Sequence, residues 1–591
     1  MGKVRYIEVI LPLRLEWNPV YSVPDEAAEG ISAGWRVRVS FAGKEYVGVV
    51  TSVDAVPGVD PSRVMPVIAV EDGLPAITAA ELRLWRFISD YYLCSIGDVY
   101  KAAYPVQKIR SEETALDAAL RAEKSREKMV SALKKRIAAI RDRLARKEAA
   151  VAGRHSDAVR ARLFAEKEKI LAELRVAEQA LEKFNVEGVL DFPVHSACAR
   201  AAAPGKPVLL TSADRRSAYI SLASKTLKDG FSVLVLVPEN DFASIIENMF
   251  RQEFGQQLLL FSSRMTAVKR RKTADEVREG RLPYVIVGTR SALYLPFSNL
   301  GLVIVDEEQD PLHKQTEPAP RINSRDCAAM LASIHGAQLV LGSATPSLET
   351  LFNCETGKYV RADAFPGQVC TAEVIDVSAE RRKNGMIGPY SLKIKQIVLG
   401  TEGRVVVVRG WENPEELNGW TSDVFGGRSV DILTASAARK IEGEVPLIIV
   451  LQADAFFQKD DFRADERALQ LLRQIGEHAC RFVVQTAKSA HPVYAALAAG
   501  SDASVLLAER KEFSLPPFTK IIDIQIDDPS ESRRELMTRR LCKALRIGGL
   551  RITLARDSHL GSRKASLRQD IAAFEKENKY SSHIKLDVDP Q

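Results

Sequence analysis

Short apolar runs alternate with longer stretches of helical character from about residue 188 to residue 510. The first group of runs covers 207–210, 233–237, 284–287, 302–305 and 338–341. A second group covers 405–408, 446–451 and 481–484. Apolar runs separated by helices are typical of buried parallel strands in a doubly wound sheet. The pattern therefore predicts an α/β fold with two tandem lobes.

The two ends of the chain follow other patterns. Residues 1–70 alternate apolar and polar positions at strand period and predict a small antiparallel β domain. Residues 71–110 predict helices, because Thr78 and Glu81 have the spacing of a capping box before an apolar face. The tail, residues 511–591, predicts a smaller α+β domain.

Residues 111–186 are dominated by Glu, Lys, Arg, Ala and Leu. Apolar residues recur there at heptad spacing in two stretches, Leu133 to Leu144 and Ile170 to Phe184. The segment predicts a long antiparallel helical hairpin, with arms of roughly 45–60 Å at about 1.5 Å per residue. A charged hairpin is more typical of a spacer or a partner contact than of a catalytic part.

These patterns divide the chain into six predicted segments. They are the β domain (1–70), the helical segment (71–110), the hairpin insertion (111–186), the first lobe (187–375), the second lobe (376–510) and the C-terminal domain (511–591).

Composition narrows the class of protein. No apolar run of the 591 residues reaches the ~18 that a membrane span needs, and the start lacks a secretory signal, so we expect a cytoplasmic protein. The formal net charge of +6 permits nucleic-acid binding without requiring it. The seven cysteines form no Cys-x-x-Cys pair, so we expect buried thiols and no metal site, zinc included.

The run Leu302 to Val305 ends in three acids, Asp306, Glu307 and Glu308. Open α/β sheets bind ligands at the carboxyl ends of their strands. One interpretation makes Asp306 a Mg²⁺ ligand and Glu307 the base that orients a water for phosphoryl transfer. The other is a vestigial acid pair whose oxygens accept hydrogen bonds from neighbouring helix N–H groups.

A phosphate-binding loop should precede these acids, and its sequence is missing. Such a loop needs glycines, so that backbone N–H groups approach the phosphates, and a lysine for the β and γ oxygens. Residues 211–219 contain neither, and Asp214 adds a negative charge. Arg215, Arg216 and Ser217 are the candidate nucleotide-binding residues. We therefore question whether ATP and Mg²⁺ bind.

Basic and aromatic residues share one predicted face of the β domain. Arg36, Arg38 and Lys44 would lie beside Trp35 and Tyr46. Such a mixture suits nucleic-acid backbone and bases. An ordinary solvated strand face is the alternative.

Several motifs occur in one order along most of the chain. Asp306-Glu307-Glu308 precedes Ser343-Ala344-Thr345 in the first lobe, residues 461–467 carry a motif of the second, and Leu515-Pro516-Pro517-Phe518 follows. Residues 37–50 add a further motif in front. The set resembles superfamily 2 helicases and, among them, the PriA family of replication-restart helicases.

The resemblance implies two RecA-like helicase lobes, a 3′-end DNA-binding domain at the front and a winged-helix-like segment after it. It also implies a nucleoid-associated protein that binds forked or single-stranded DNA and meets primosome proteins. The expected catalytic residues are Asp306, Glu307 and Arg481. The expected DNA-binding residues are Gly34, Arg36, Arg38, Lys44, Tyr46, Arg290, Lys314, Arg321 and Arg325.

The sequence also departs from that family. His478 stands where the family has one of its two motif arginines, Arg481 being the other. An arginine finger is worth ~10³–10⁵ in rate, so this loss matters even where ATP binds. The family's cysteine-rich zinc module is missing, because residues 408–434 contain no cysteine.

Three hypotheses stay open. The first is a replication-restart DNA-binding protein with an ATPase-deficient helicase core. The second is an active ATP-dependent 3′-to-5′ helicase with an atypical phosphate loop. The third, the weakest, is a structural scaffold whose hairpin carries the contacts.

Overall fold

The structure is a computed structural model. It describes residues 5–23 and 31–105, some positions within 131–149 and 163–174, and residues 205–590 except 212–214, 239–241, 363–370, 442, 458–461 and 579–582. The chain forms two compact units, one from Met1–Pro105 with His195–Gln591 and the other from Val106–Val194.

The amino-terminal part of the large unit is an antiparallel sheet followed by two helices. Its strands are β1 (Arg5–Ile10), β2 (Val20–Val23), β3 (Arg36–Phe41), β4 (Lys44–Val53) and β5 (Ala69–Val70), in the order β2-β1-β4-β3-β5. The helices are α1 (Ala79–Tyr92) and α2 (Ile96–Ala103). The predicted capping box of Thr78 and Glu81 forms, with both hydrogen bonds present. Residues 71–105 hold no strand, so the winged-helix likeness extends only to these helices.

We call the next part lobe 1, and its sheet has the order β12-β6-β11-β10-β7-β9-β8. The strands are β6 (Val208–Leu210), β7 (Ser232–Leu236), β8 (Leu258–Phe261), β9 (Val285–Gly288), β10 (Leu300–Asp306), β11 (Gln338–Gly342) and β12 (Val360–Ala362), and all their pairings are parallel. The helices are α3 (Arg215–Lys228), α4 (Phe242–Phe254), α5 (Ala267–Glu279), α6 (Ser324–His335) and α7 (Leu348–Glu355).

Lobe 2 repeats this design in a second parallel sheet, of order β13-β19-β18-β16-β17. Its strands are β13 (Ala372–Asp376), β16 (Val405–Arg409), β17 (Asp431–Thr434), β18 (Val445–Val450) and β19 (Ala479–Thr486), with a separate hairpin of β14 (Met386–Ile387) and β15 (Tyr390–Ser391). The helices are α8 (Val377–Lys383), α9 (Leu392–Leu399), α10 (Pro414–Phe425), α11 (Ala435–Ala438), α12 (Ala464–Gly476) and α13 (Pro492–Ala499).

The C-terminal part contains an antiparallel sheet of order β21-β20-β22. Its elements are α14 (Leu507–Glu512), β20 (Thr519–Asp527), α15 (Glu531–Leu545), β21 (Arg551–Ala555), α16 (Leu560–Glu577) and β22 (His583–Val588). The predicted α/β class with two tandem lobes between smaller β-containing parts is confirmed.

Central strands of both lobes are buried on both faces. Every residue of β10 is buried, and Val405 to Val408 in β16 are at most 1% exposed. Continuous burial explains why these strands appear in the sequence as unbroken apolar runs. The polar residues that follow β10 therefore lie at the carboxyl edge of the sheet, next to the apolar core.

The smaller unit contains a compact apolar cluster of Ile137, Ile140 and Ile170. Lys147 and Glu166 form an ion pair at 2.5 Å. These contacts join the two stretches predicted as arms of the hairpin. The rest of residues 111–186 lies outside the described residues, and the predicted segment bounds stay predictions. Within the described part of the chain, no helix combines the length and apolar character that crossing a bilayer requires.

His335 ends α6 beside Phe297, with ring centroids 6.3 Å apart. Burial, and then the charge of Arg83, lower the pKa of His335 to about 4. Since the unfolded chain takes up this proton near pH 6.5, stability should fall as the pH drops from about 6.5 to about 4. We expect His335→Gln to weaken that loss, measured as the urea midpoint between pH 7 and pH 4.5.

The matched control is His583→Gln, which replaces an exposed histidine on β22. An unchanged pH dependence in the His335 variant would contradict the prediction.

Candidate nucleotide site and nucleic-acid interface

Asp306 is the last residue of β10 and lies at the carboxyl edge of the lobe 1 sheet. Its side chain is fully buried, as the relative exposure of 0% shows. Glu307 follows with a φ of +48°, in the left-handed region that a non-glycine residue adopts at an energetic cost. The backbone N–H of Asp310 donates to the Glu307 carbonyl at 2.8 Å and closes the turn. The acid pair thus sits in a strained turn at the carboxyl edge of the lobe 1 sheet.

Arg215, the first residue of α3, reaches both acids. Its Nε donates to Asp306 Oδ1 at 3.1 Å, and a terminal nitrogen donates to Glu307 Oε1. The guanidinium is buried with its partners, the Arg215 side chain being 3% exposed. Burial opposes the charged form, but Glu307 and Asp306 raise the pKa of Arg215 well above its usual value. This arrangement is a compensated buried ion triad.

Further side chains donate hydrogen bonds to the acids. Tyr219 donates to Asp306 Oδ1 at 2.9 Å, from one turn after Arg215 on α3. Gln309 donates to Glu307 Oε2 at 2.7 Å. Gln474 donates to the same oxygen at 3.2 Å from α12, which belongs to lobe 2. The interpretation of a vestigial acid pair named helix N–H groups as the donors. The donors in the structure are instead side chains, because Arg215 and the glutamines reach the acids directly.

A magnesium ion fits this arrangement poorly. Asp306 Oδ2 is buried and has no hydrogen-bond partner among the described residues, so one oxygen is available. Mg²⁺, however, requires near-octahedral oxygen ligands, and most carboxylate oxygens here already accept from donors. The guanidinium of Arg215 also supplies the positive charge that a metal ion would bring. The carboxylate oxygens are thus mostly engaged by protein donors.

The other predicted nucleotide-site residues are placed differently. Arg216 is half-buried and Ser217 exposed on the first turn of α3, and residues 212–214 lie outside the described range. Arg481 lies near the amino end of β19, about half exposed, and pairs with Glu373 at 2.7 Å. The prediction that Arg481 acts at the acids is therefore not supported, since its charge is used at another edge.

Glu308, the third acid, belongs to a second buried network. It accepts from Ser347 N at 2.7 Å, from Thr350 Oγ1 at 3.0 Å and from Arg325 at 3.1 Å. Ser347 caps α7 directly after the Ser343-Ala344-Thr345 motif. The start of α7 is thereby tied to the end of β10, and the sequence did not reveal this link.

Ion pairs also join lobe 1 to lobe 2. Arg463 donates to Glu349 at 2.8 Å, and Leu348 N donates to Glu466 at 3.0 Å. Arg510 adds a contact to Glu466 at 3.2 Å. Burial is the main cause that raises the pKa of Glu466. Polar contacts of this kind join the two lobes directly.

The basic face predicted for the β domain forms only in part. Arg36 is 2% exposed, and its guanidinium stacks over the Tyr104 ring at 4.3 Å, so its placement on a DNA-binding face is wrong. Arg38 is partly buried and pairs with Glu71 at 2.7 Å. Lys44 is exposed and Tyr46 partly exposed at the start of β4. Of this set, Lys44 and Tyr46 remain the candidates for DNA contact.

Lys314 and Arg321 bind the C-terminal part of the chain rather than an open surface. Lys314 Nζ lies 2.7 Å from Asp587 and donates to the Val588 carbonyl at 2.8 Å. Arg321 donates to the Leu586 carbonyl at 3.2 Å. Both are about 4% exposed. The prediction of DNA contacts for these two residues is wrong, because β22 docks on them.

The remaining predicted DNA contacts also have structural partners. Arg290 donates to the carbonyls of Leu312 and Lys314. Arg325 is bound to Glu308, as above. Gly34 has a φ of +93°, and a Cβ there would lie 2.0 Å from the Ile77 carbonyl oxygen. Its role in the fold is therefore to let the chain pass closely beside α1.

Comparison with known proteins finds matches for the amino-terminal part and for lobe 1. Residues 8–105 match the family model of the PriA 3′DNA-binding domain (3′BD). Residues 216–353 match the model of the DEAD/DEAH box helicase. A relative in Chlamydia pneumoniae, the replication restart protein PriA, is 37% identical over 182 residues. These matches support a PriA-type superfamily 2 helicase.

The matches cover only part of each PriA relative. The match to the Chlamydia pneumoniae protein covers 30% of this chain and 24% of the relative. PriA of Haemophilus influenzae is 28% identical over 420 residues, which cover 66% of this chain and 57% of that protein. The chain thus spans about a quarter to somewhat more than half of these relatives.

Among solved structures, DUF1998 helicase MrfA bound to DNA aligns over 66% of this chain and 55% of its own. The sequence identity is 10% and the TM-score 0.33. Similarity at this level supports no conclusion about ligands.

Proposed function

We propose that this chain is a replication-restart DNA-binding protein of the PriA type whose helicase-derived core hydrolyses ATP poorly or not at all. One observation carries the second half of this proposal. The guanidinium of Arg215 neutralises Asp306 and Glu307 together, in the place where a nucleotide-bound metal would need those oxygens.

DNA binding is supported by the matched 3′DNA-binding domain and by the name that the curated relatives share. The partly exposed aromatic Tyr46 and the exposed Lys44 suit stacking and phosphate contact. We assign the recognition of forked DNA or of a single-stranded end to residues 1–105. Primosome or replication proteins are the proposed protein partners, and the proposed location is the bacterial cytoplasm with the nucleoid.

The proposed lack of ATPase activity follows from charge. To bind, Mg²⁺–ATP would have to displace Arg215 from two carboxylates in a buried site, where ion pairs are strong. It would do so beside a segment without the glycines that cradle phosphates. Neither ATP, Mg²⁺ nor zinc is therefore part of the proposed function.

Two titrations test the proposal. Fluorescence anisotropy with a labelled forked DNA should reveal binding that weakens steeply as salt increases, because phosphate contacts release counterions. A fluorescent ATP analogue should give no saturable signal up to about 1 mM, where ordinary enzymes bind substrates. Salt-independent or absent DNA binding would refute the first half, and saturable ATP binding the second.

An active 3′-to-5′ helicase is the second candidate. It is favoured by the retained acids and by Gln474, which carries a contact from lobe 2 to Glu307. In that case ATP would release Arg215 and the turnover would depend on Glu307.

We expect no DNA-stimulated phosphate release above a buffer blank from the wild-type protein, and no change in Glu307→Gln. The malachite-green assay with forked DNA measures this. DNA-stimulated turnover that Glu307→Gln abolishes would establish the second candidate instead.

A further inference from the structure

Five cations lie close together where the chain enters α5 of lobe 1. They are Arg264, Lys269, Arg270, Arg271 and Lys272, and no acid occurs from Phe261 to Ala274. Arg270 is partly buried over the Phe261 ring, at 5.4 Å. The other four are exposed, and we call them the α5 patch.

Helix stability does not explain the α5 patch. Lys269 to Lys272 lie in the first turns of α5, where the helix dipole already places positive charge, so the cations there are unfavourable. The nearest acids are one turn on, with Arg271–Asp275 at 3.9 Å and Lys272–Glu276 at 3.8 Å. Exposed pairs at such distances contribute about 0–1 kcal/mol.

The other two cations of the patch differ from Arg271 and Lys272 in their surroundings. Among the described residues, neither Arg264 nor Lys269 has an ion-pair partner. The contrast is α15, whose Arg539, Arg540 and Lys543 lie in its second half, where a helix dipole favours cations. A basic surface of equal charge thus has a structural reason on α15 and lacks one on α5.

The α5 patch lies at the functional edge of the lobe 1 sheet. It follows the carboxyl end of β8, and Thr289 N, just beyond β9, donates to the Phe261 carbonyl at 3.3 Å. Asp306 ends β10 at this same edge, because all three strands are parallel. Ligands of open parallel sheets bind along this edge.

We propose that the α5 patch is a docking surface for the phosphates of single-stranded DNA. The inference rests on the proposed DNA-binding function and adds a contact on lobe 1, away from residues 1–105. Nucleic acid is favoured over an acidic protein because the patch has no exposed aromatic anchor, which protein interfaces use at their centres. The side chains carry the contact, since Thr266 Oγ1 already accepts from the Lys269 N–H.

The test compares two variants of the full chain with the same change in charge. One is Arg264→Ala/Lys269→Ala/Arg271→Ala, and the control is Arg539→Ala/Arg540→Ala/Lys543→Ala. Anisotropy with a labelled oligo-dT is measured at several salt concentrations. Loss of three phosphate contacts should lower the slope of log K against log salt by about 2, at ~0.7 per contact for single strands.

We expect the slope to fall in the α5 variant and to stay within about 0.7 of wild type in the control. An equal fall in both variants, or none in the α5 variant, would overturn the inference while DNA binding by the wild type stands. Absence of wild-type DNA binding would instead overturn the proposed function. If the α5 variant loses capture of an acidic polypeptide such as polyglutamate but keeps its oligo-dT slope, the partner is a protein and the inference fails.

A stability measurement excludes misfolding as the cause. Removing cations from the first turns of α5 should leave the thermal midpoint unchanged or raise it, since the dipole opposes them. A large fall in the midpoint would show that the patch has a structural role and would contradict the inference.

Discussion

Arg215→Ala should lower the free energy of unfolding of lobe 1 by about 3–5 kcal/mol, the usual cost of removing one partner from a buried ion pair. The variant leaves Asp306 and Glu307 buried with their negative charges uncompensated. Hydrogen exchange in peptides covering β10 measures the local effect, and urea denaturation followed by circular dichroism measures the global one.

Two further variants make this result specific. Arg216→Ala removes the neighbouring, half-buried arginine and should change stability by less than about 1 kcal/mol. Arg215→Ala combined with Asp306→Asn and Glu307→Gln should recover much of the loss, because no charge is then left buried alone. If Arg215→Ala exchanges as slowly as wild type, the triad does not stabilise the lobe.

Lys314→Ala should have a similarly large effect, again about 3–5 kcal/mol, at the junction of lobe 1 and the C-terminal sheet. The lysine is buried between Asp587 and the carbonyls of Arg321 and Val588. The variant removes the ion pair with Asp587 and the hydrogen bond to the Val588 carbonyl, both on β22. Hydrogen exchange in residues 583–588 should therefore accelerate.

Lys585→Ala is the matched control for this position. Lys585 lies on the same strand but is 34% exposed, and it pairs with Glu317 at 3.3 Å and Asp527 at 2.9 Å. Surface pairs of this kind contribute about 0–1 kcal/mol. The DNA salt slope of Lys314→Ala should equal that of wild type. A slope lower by about 1 would restore Lys314 as a phosphate contact.

Arg215 and Lys314 were both expected from the sequence to contact a ligand, the nucleotide in one case and DNA in the other. Each has the charge that a phosphate would attract. In the folded chain Arg215 forms ion pairs with two acids, and Lys314 forms an ion pair with the side chain of Asp587. The cations of the α5 patch and Lys44 differ from them in being exposed to solvent.

Much of the architecture could be predicted from local pattern. Unbroken apolar runs identified the parallel strands of both lobes, and the acids after Val305 identified the carboxyl end of β10. The capping box of Thr78 and Glu81 fixed the start of α1. These features depend on residues close together in the chain, which is why they can be recognised without a structure.

The side-chain contacts of the charged residues could not be predicted in this way. Arg36 and Arg38 lie two residues apart in β3 and were predicted to share one face. In the structure Arg36 stacks over the Tyr104 ring, and Arg38 forms an ion pair with Glu71. Gln474 reaches Glu307 across 167 positions of sequence. No spacing rule relates such residues, because the helix or strand that covers them arrives from elsewhere.

By itself the sequence determined the fold class, the acid pair at the end of β10 and the absence of a glycine-rich phosphate loop, since each follows from residue types in short segments. Only the tertiary structure decided that Arg215 pairs with Asp306 and Glu307, and that Lys314 and Arg321 donate hydrogen bonds to β22. It also decided that the α5 patch stays exposed. Burial and ion pairing between distant segments determine which charges remain available to a ligand.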